Sequence, residues 1–218
     1  MDEPASVPLD DLTRVASAEA RLASSLVTLT DEEVRRPSLL PGWTVGHVLT
    51  HVARNADSHR RRADAAARGE VVDQYAGGVA GRAAAIEDGA RRPAAALVDD
   101  VARSRGAMQA AWRRVPVDRW GAVSRDVGGR ARPLHTLPAR RWQEVEVHQV
   151  DLGLGVTPRD WPDEFVAVWL PRLRAGLAAR LPDGASAPPA GSLDERDELA
   201  WLYGRLSRDD LPPLAPWA

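Results

Sequence analysis

Apolar residues recur along this chain mostly three and four positions apart, the period of a helix that buries one face. Leu12, Val15, Ala16, Leu22, Leu26 and Leu29 predict a first helix from about Asp10 to Leu29, started by Asp10 or Asp11. Thr30-Asp31-Glu32-Glu33 reads as a second helix start, after which Pro37 and Pro41-Gly42 interrupt the chain. Thr44 is placed to cap a long helix from Val45 to about Arg68, whose apolar stripe is Val45, Val48, Leu49, Val52 and Ala56. Further helices are expected near Val79–Ala90 and Ala94–Val115. Between Pro116 and Pro133 the pattern is irregular, with Gly121 and Gly128-Gly129, and suits a loop with a short hairpin.

Thr136 and Pro138 open the next helix and Gly153 closes it. Another runs from Pro162 to about Leu181, a Pro/Ala/Gly linker covers 182–191, and a last helix spans Leu193–Leu206 before a proline-rich tail. Strand patterns are scarce and no repeat is present. The fold class is therefore mainly α, a helical bundle, and bundles commonly build metal sites from facing helices.

Composition narrows the chemistry. At 218 residues the chain suits one main domain and a smaller C-terminal one, divided at about 160/161. The formal charge of -2 gives no global pull toward nucleic acid or membranes. All 29 basic residues are arginine, and isoleucine and phenylalanine occur once each, a bias that reflects a GC-rich genome rather than a polyanion surface. There is no cysteine, so the chain has no disulfide, no thiolate metal ligand and no sulfur nucleophile of its own. The start, Met1-Asp2-Glu3-Pro4-Ala5, has no signal-peptide pattern, and no run approaches the ~20 apolar residues of a membrane span. A cytoplasmic protein is expected.

The polar residues that stand out are Glu144 and His148, four apart in Arg141-Trp142-Gln143-Glu144-Val145-Glu146-Val147-His148-Gln149-Val150-Asp151. With Arg141 at zero on a helical wheel, Glu144 falls near about 300°, His148 near about 340° and Asp151 near about 280°, while Glu146 lies near about 140°. Glu144 therefore shares a face with His148, and Asp151 is close enough to support a ligand from behind or to contact a substrate. By itself a Glu/His pair at this spacing is commonly a solvated surface pair worth a few tenths of a kcal/mol. A third ligand would change its meaning. On the Val45 helix His51 points nearer the bundle interior than His47, and His59 lies two turns further along.

Three separated stretches carry a family likeness. Leu40-Pro41-Gly42-Trp43-Thr44-Val45-Gly46-His47-Val48-Leu49-Thr50-His51 resembles the first signature of the mycothiol-dependent maleylpyruvate isomerase family. Glu144 to Leu152, followed by Asp160-Trp161-Pro162, is similar to its second, and Leu199-Ala200-Trp201-Leu202-Tyr203-Gly204-Arg205 with Leu211-Pro212-Pro213-Leu214 to its ending.

The resemblance implies a DinB-like four-helix bundle over 1–160, followed by a small, shortened C-terminal α+β domain over 161–218. It implies a divalent metal, zinc first, held by His51, Glu144 and His148, with mycothiol as the thiol cofactor. It places Asp151 and Arg205 in thiol or substrate handling. Arg82 is a further candidate for a cofactor or substrate oxygen, since arginine pairs well with carboxylates. The implied reaction is thiolate addition to the cis double bond of maleylpyruvate, rotation, and elimination to fumarylpyruvate. The alternatives are a mycothiol S-transferase acting on another small electrophile, or a metal-binding bundle without catalysis.

Overall fold

The structure, a computed structural model, describes residues 6–189 and 191–215. Among these are eight α-helices and one hairpin: α1 (Leu9–Ser25), α2 (Asp31–Arg35), α3 (Val45–Ala67), α4 (Gly78–Ala90), α5 (Ala94–Arg114), β1 (Val123–Arg125), β2 (Ala131–Pro133), α6 (Leu137–Asp151), α7 (Asp163–Ala175) and α8 (Glu195–Leu202). The chain divides between Leu154 and Gly155 into two compact units, six residues ahead of the division at 160/161 read from the sequence.

In the first unit α3 packs against α5 and α6, and α1 packs against α6 and α5, which closes a ring of four helices. The helices α2 and α4 flank α3 on the outside. Apolar stripes make the core, with Leu22, Leu49, Leu97, Met108 and Trp142 all buried. Local chemistry fixes where the helices begin. Thr30 and Glu33 form a reciprocal capping box on α2. Thr44 does the same for α3 with an unusual partner, His47, whose Nδ1 accepts from the Thr44 N–H at 3.2 Å. Gly153, with φ +65°, ends α6 in the left-handed conformation that glycine adopts without strain.

The deepest polar contact joins three helices. Arg141 of α6 is wholly buried; its Nε donates to Glu19 Oε1 of α1 at 2.8 Å, and its Nη1 to the Val52 carbonyl and Asn55 Oδ1 of α3 at 2.8 and 2.9 Å. A buried pair of this kind is costly to desolvate; three hydrogen bonds and an ion pair from Nη2 to Glu19 Oε1 at 2.7 Å offset that cost, although Nη2 makes no hydrogen bond.

Several boundaries differ from the sequence pattern. The first helix stops at Ser25, because Leu26 caps it and the chain turns through exposed Val27. Thr136 does not cap α6; it ends a 3-10 turn that runs directly into the helix, and its hydroxyl donates to the Pro133 carbonyl. The hairpin forms where the glycines fall, with Val123 paired to Pro133 and Arg125 to Ala131.

The second unit holds α7 and α8 packed on one another, around Trp161, Phe165, Trp169 and Tyr203. Gly176 stops α7 short of Leu181, leaving only a 3-10 turn at Leu177–Ala179, and Asp194 and Gly204 trim the last helix. No strand occurs among the described residues of this unit, so the β content implied for it is absent there; its proline- and alanine-rich 182–191 stretch offers no alternating pattern from which to build one.

Two glycines test the packing with opposite signs. A Cβ at Gly46 would lie 2.2 Å from the Ala90 carbonyl oxygen, whereas one at Gly106 meets nothing within 4 Å. Gly106→Ala should raise stability by up to about 1 kcal/mol through helix propensity. Gly46→Ala should lower the melting temperature despite the same gain, because the α3–α4 contact must open. Thermal unfolding of the two variants checks this, and a stabilised Gly46→Ala protein would refute the close approach.

Candidate metal centre

The second turn of α3 faces the C-terminal half of α6, and His51, Glu144 and His148 meet there. His51 Nε2 is 3.0 Å from both Glu144 Oε2 and His148 Nε2, and His148 Nε2 is 3.3 Å from Glu144 Oε2. One ligand atom from each residue lies within 4.8 Å of the others, a cluster able to hold a metal ion. Both histidines are buried and the glutamate is half-buried. Trp43, from the loop before α3, sets its ring centroid 5.7 Å from that of His51.

The electrostatics suit a cation. Burial and the neighbouring His148 push His51 down to about 4, against the pull of Glu144, so the ring is neutral at neutral pH. Burial would raise the Glu144 carboxyl, but hydrogen bonds with His148 and His51 hold it well below the usual carboxylate range. Burial would lower His148, yet contacts with Asp151 and Glu144 outweigh it and raise the ring. Asp151 Oδ2 accepts from His148 Nδ1 at 2.8 Å, which fixes the proton on that nitrogen and leaves the Nε2 lone pair toward the cluster. Two imidazole nitrogens and one carboxylate oxygen form a donor set that a divalent cation such as zinc accepts.

The acidic residues and the histidine of α6 placed on the helical wheel fall on the faces it gives them. Glu144 and His148 share the inner face, Asp151 supports the second histidine, and Glu146 points elsewhere, to Arg21 and to the Trp142 indole, whose Nε1 donates at 3.0 Å. His51 is buried inside the bundle rather than at its edge. His47 caps its own helix, and His59 packs edge-on against Trp112, so neither joins the cluster. Arg82 of α4 does reach it: Nη2 donates to His51 Nδ1 at 3.1 Å. Arg205 lies in the second unit, just after α8, where Nη1 donates to the Tyr203 carbonyl at 2.6 Å.

Some participants escaped the sequence reading. Trp43 sits in a loop and Tyr75 in an irregular stretch, where no periodicity assigns a face. Tyr75 stacks under Arg82, with the guanidinium carbon 5.8 Å from its ring centroid, and burial together with the Glu144 charge raises its hydroxyl above the ordinary value. Beside it, between α3 and α4, is a cavity of about 440 Å³ whose walls include Arg54, Asp57, Arg61, Tyr75 and Arg82. Arg141 could have been found, since it stands one turn before Glu144 on the same side of α6.

Facing helices of this bundle place two histidines and a glutamate around one point, which makes a candidate metal site. Comparison with known proteins is more specific. Residues 15–153, which fall within the first unit, match the model of the mycothiol maleylpyruvate isomerase N-terminal domain, and the chain belongs to this family. The fold is similar to that of a crystal structure of the mycothiol-dependent maleylpyruvate isomerase, at 23% identity and a TM-score of 0.84, over 96% of this chain and 97% of that one. A histidine-to-alanine mutant of that isomerase matches over the same shares, at 23% identity and a TM-score of 0.83. No curated protein matches the chain. No helix among the described residues is long and apolar enough to cross a membrane.

The cluster predicts a clean split between two glutamates two residues apart. In protein dialysed against zinc and then desalted, Glu144→Gln should lose most of the bound metal, while Glu146→Gln keeps it near one equivalent. Elemental analysis reads both, and metal loss confined to Glu146→Gln would overturn the assignment of faces.

Proposed function

We propose that this protein is a mycothiol-dependent metalloenzyme, in the first place a cis–trans isomerase of the maleylpyruvate-to-fumarylpyruvate type. The observation that supports it most is the convergence of His51, Glu144 and His148, with Asp151 behind His148, in a chain of this family that has no cysteine. These three residues would hold a divalent cation, zinc in this reading, which would supply a Lewis acid able to lower the pKa of a thiol.

The protein's own groups have defined tasks. The two imidazoles contribute neutral donors and Glu144 a single negative charge, so the centre stays net positive toward an anionic sulfur. Asp151 holds the His148 ring and its proton, which keeps Nε2 aimed at the cluster. The Trp43 ring lies against His51 and limits the room on that side. Arg205, at the position of the family's C-terminal arginine, is assigned to an oxygen of the thiol or substrate, which a guanidinium can grip with two bonds. In the net reaction the thiol adds across the cis double bond, the new single bond turns, and elimination returns the thiol unchanged.

Incubation with maleylpyruvate, with and without mycothiol, tests this reading. Turnover to fumarylpyruvate is expected only with the thiol, and the thiol should be recovered intact. A stable thioether would identify an S-transferase instead, and turnover without thiol would overturn the proposal. Arg205→Gln should lower kcat/KM by about tenfold or more, the scale of one lost charge-assisted contact, with zinc content unchanged.

A further inference from the structure

The Arg82–His51 contact and a metal at His51 make incompatible demands on one imidazole. A guanidinium can only donate hydrogen bonds. The approach of Arg82 Nη2 to 3.1 Å therefore needs a lone pair on His51 Nδ1, and in a neutral ring the proton is then on Nε2. Glu144 Oε2 and His148 Nε2, each 3.0 Å from that nitrogen, can both accept it. A metal-bound histidine has the reverse arrangement, with the lone pair on Nε2 and the proton on Nδ1. His148 is free of this conflict, because Asp151 already holds its Nδ1 proton.

We infer that Arg82 and the metal compete for His51, so that metal loading releases the Arg82 guanidinium into the adjoining α3–α4 cavity, where it binds a carboxylate of the second reactant. This rests on the metal-dependent reading above and adds to it an anion site that exists only in the loaded protein. The cavity is suited to an anion. Its lining includes five arginines against two aspartates. Three of the five are already committed: Arg54 to Asp57 and Asp100, Arg60 to Asp57 and Asp64, and Arg68 to Glu70. Among the described residues Arg61 and Arg82 have no carboxylate within ion-pair distance. Once off His51, Arg82 keeps the ring face and the hydroxyl of Tyr75, which leave the rest of its fork to a carboxylate.

The test turns on the sign of one substitution. Glutamine at position 82, a half-exposed helix site, can donate to the metal-free His51 and accept from its metal-bound form. Arg82→Gln should therefore bind zinc about tenfold more tightly in competition with a chromophoric chelator. If Arg82 merely supports His51, the variant binds zinc equally or more weakly, and the competition is refuted. Nitrogen-15 spectra of the histidines give an independent readout: His51 Nδ1 should be unprotonated without metal and protonated with zinc, and one state in both would refute the switch. Titration with succinate, which has no double bond for a thiolate, checks the anion site. Wild-type zinc protein should bind it several-fold better than zinc-loaded Arg82→Gln, and equal or absent binding would overturn that part. Failure of the wild-type protein to bind zinc at all would instead remove the metal reading itself.

Discussion

The centre depends on how α3 and α6 are registered, and the Arg141 guanidinium sets that register. It lies one turn before Glu144 and donates to the carbonyl of Val52, the residue that follows His51. Its other bonds reach Asn55 on α3 and Glu19 on α1, so three of the four bundle helices meet at one charge. Apolar stripes alone leave helices free to slide by fractions of a turn, because hydrophobic contact has little direction. A buried charge has no such freedom: shifted by an ångström it would lose partners that nothing else in the core could replace. The candidate ligands His51, Glu144 and His148 inherit their spacing from this fixed point.

The arrangement also explains why the cluster is both buried and chemically open. His51 and His148 are enclosed by the bundle, while Glu144 is half-buried and its charge acts on Tyr75, which lines the α3–α4 cavity. Burial keeps the His51 imidazole neutral, Asp151 holds the proton of His148 on Nδ1, and the half-exposed Glu144 carboxylate provides the negative charge. A chain without cysteine has no sulfur nucleophile of its own, so any thiol chemistry at this cluster would need a sulfur that enters from outside.

Much of this was readable in the order of residues. The 3.6-residue period gave the four bundle helices, and arithmetic on a single helix separated Glu144 from Glu146 and added Asp151. Ends were less legible. The apolar period ran past Ser25 and Gly176, where capping and backbone geometry ended the helices, and Thr136 looked like a cap although a 3-10 turn already led into α6. Trp43 and Tyr75 were illegible for a different reason. They sit on irregular segments whose positions are set by contacts distant in sequence, and no local period reports those. Arg141 was visible as a polar residue on the inner stripe, but its partner Glu19 lies 122 positions away.

Asp151 has a second attachment. Its side chain accepts from His148, and its backbone carbonyl accepts from the Leu39 N–H, in the segment that leads to Trp43. A bridge between Pro37 and Thr44 and a bond from Ser38 N–H to the Trp43 carbonyl close that segment on itself. The loop thus has its length set from both ends, by the start of α3 and by the residue that orients His148. Surface loops are ordinarily where related chains gain and lose residues. This one behaves as part of the centre, so divergence within the family should change its side chains and leave its length alone.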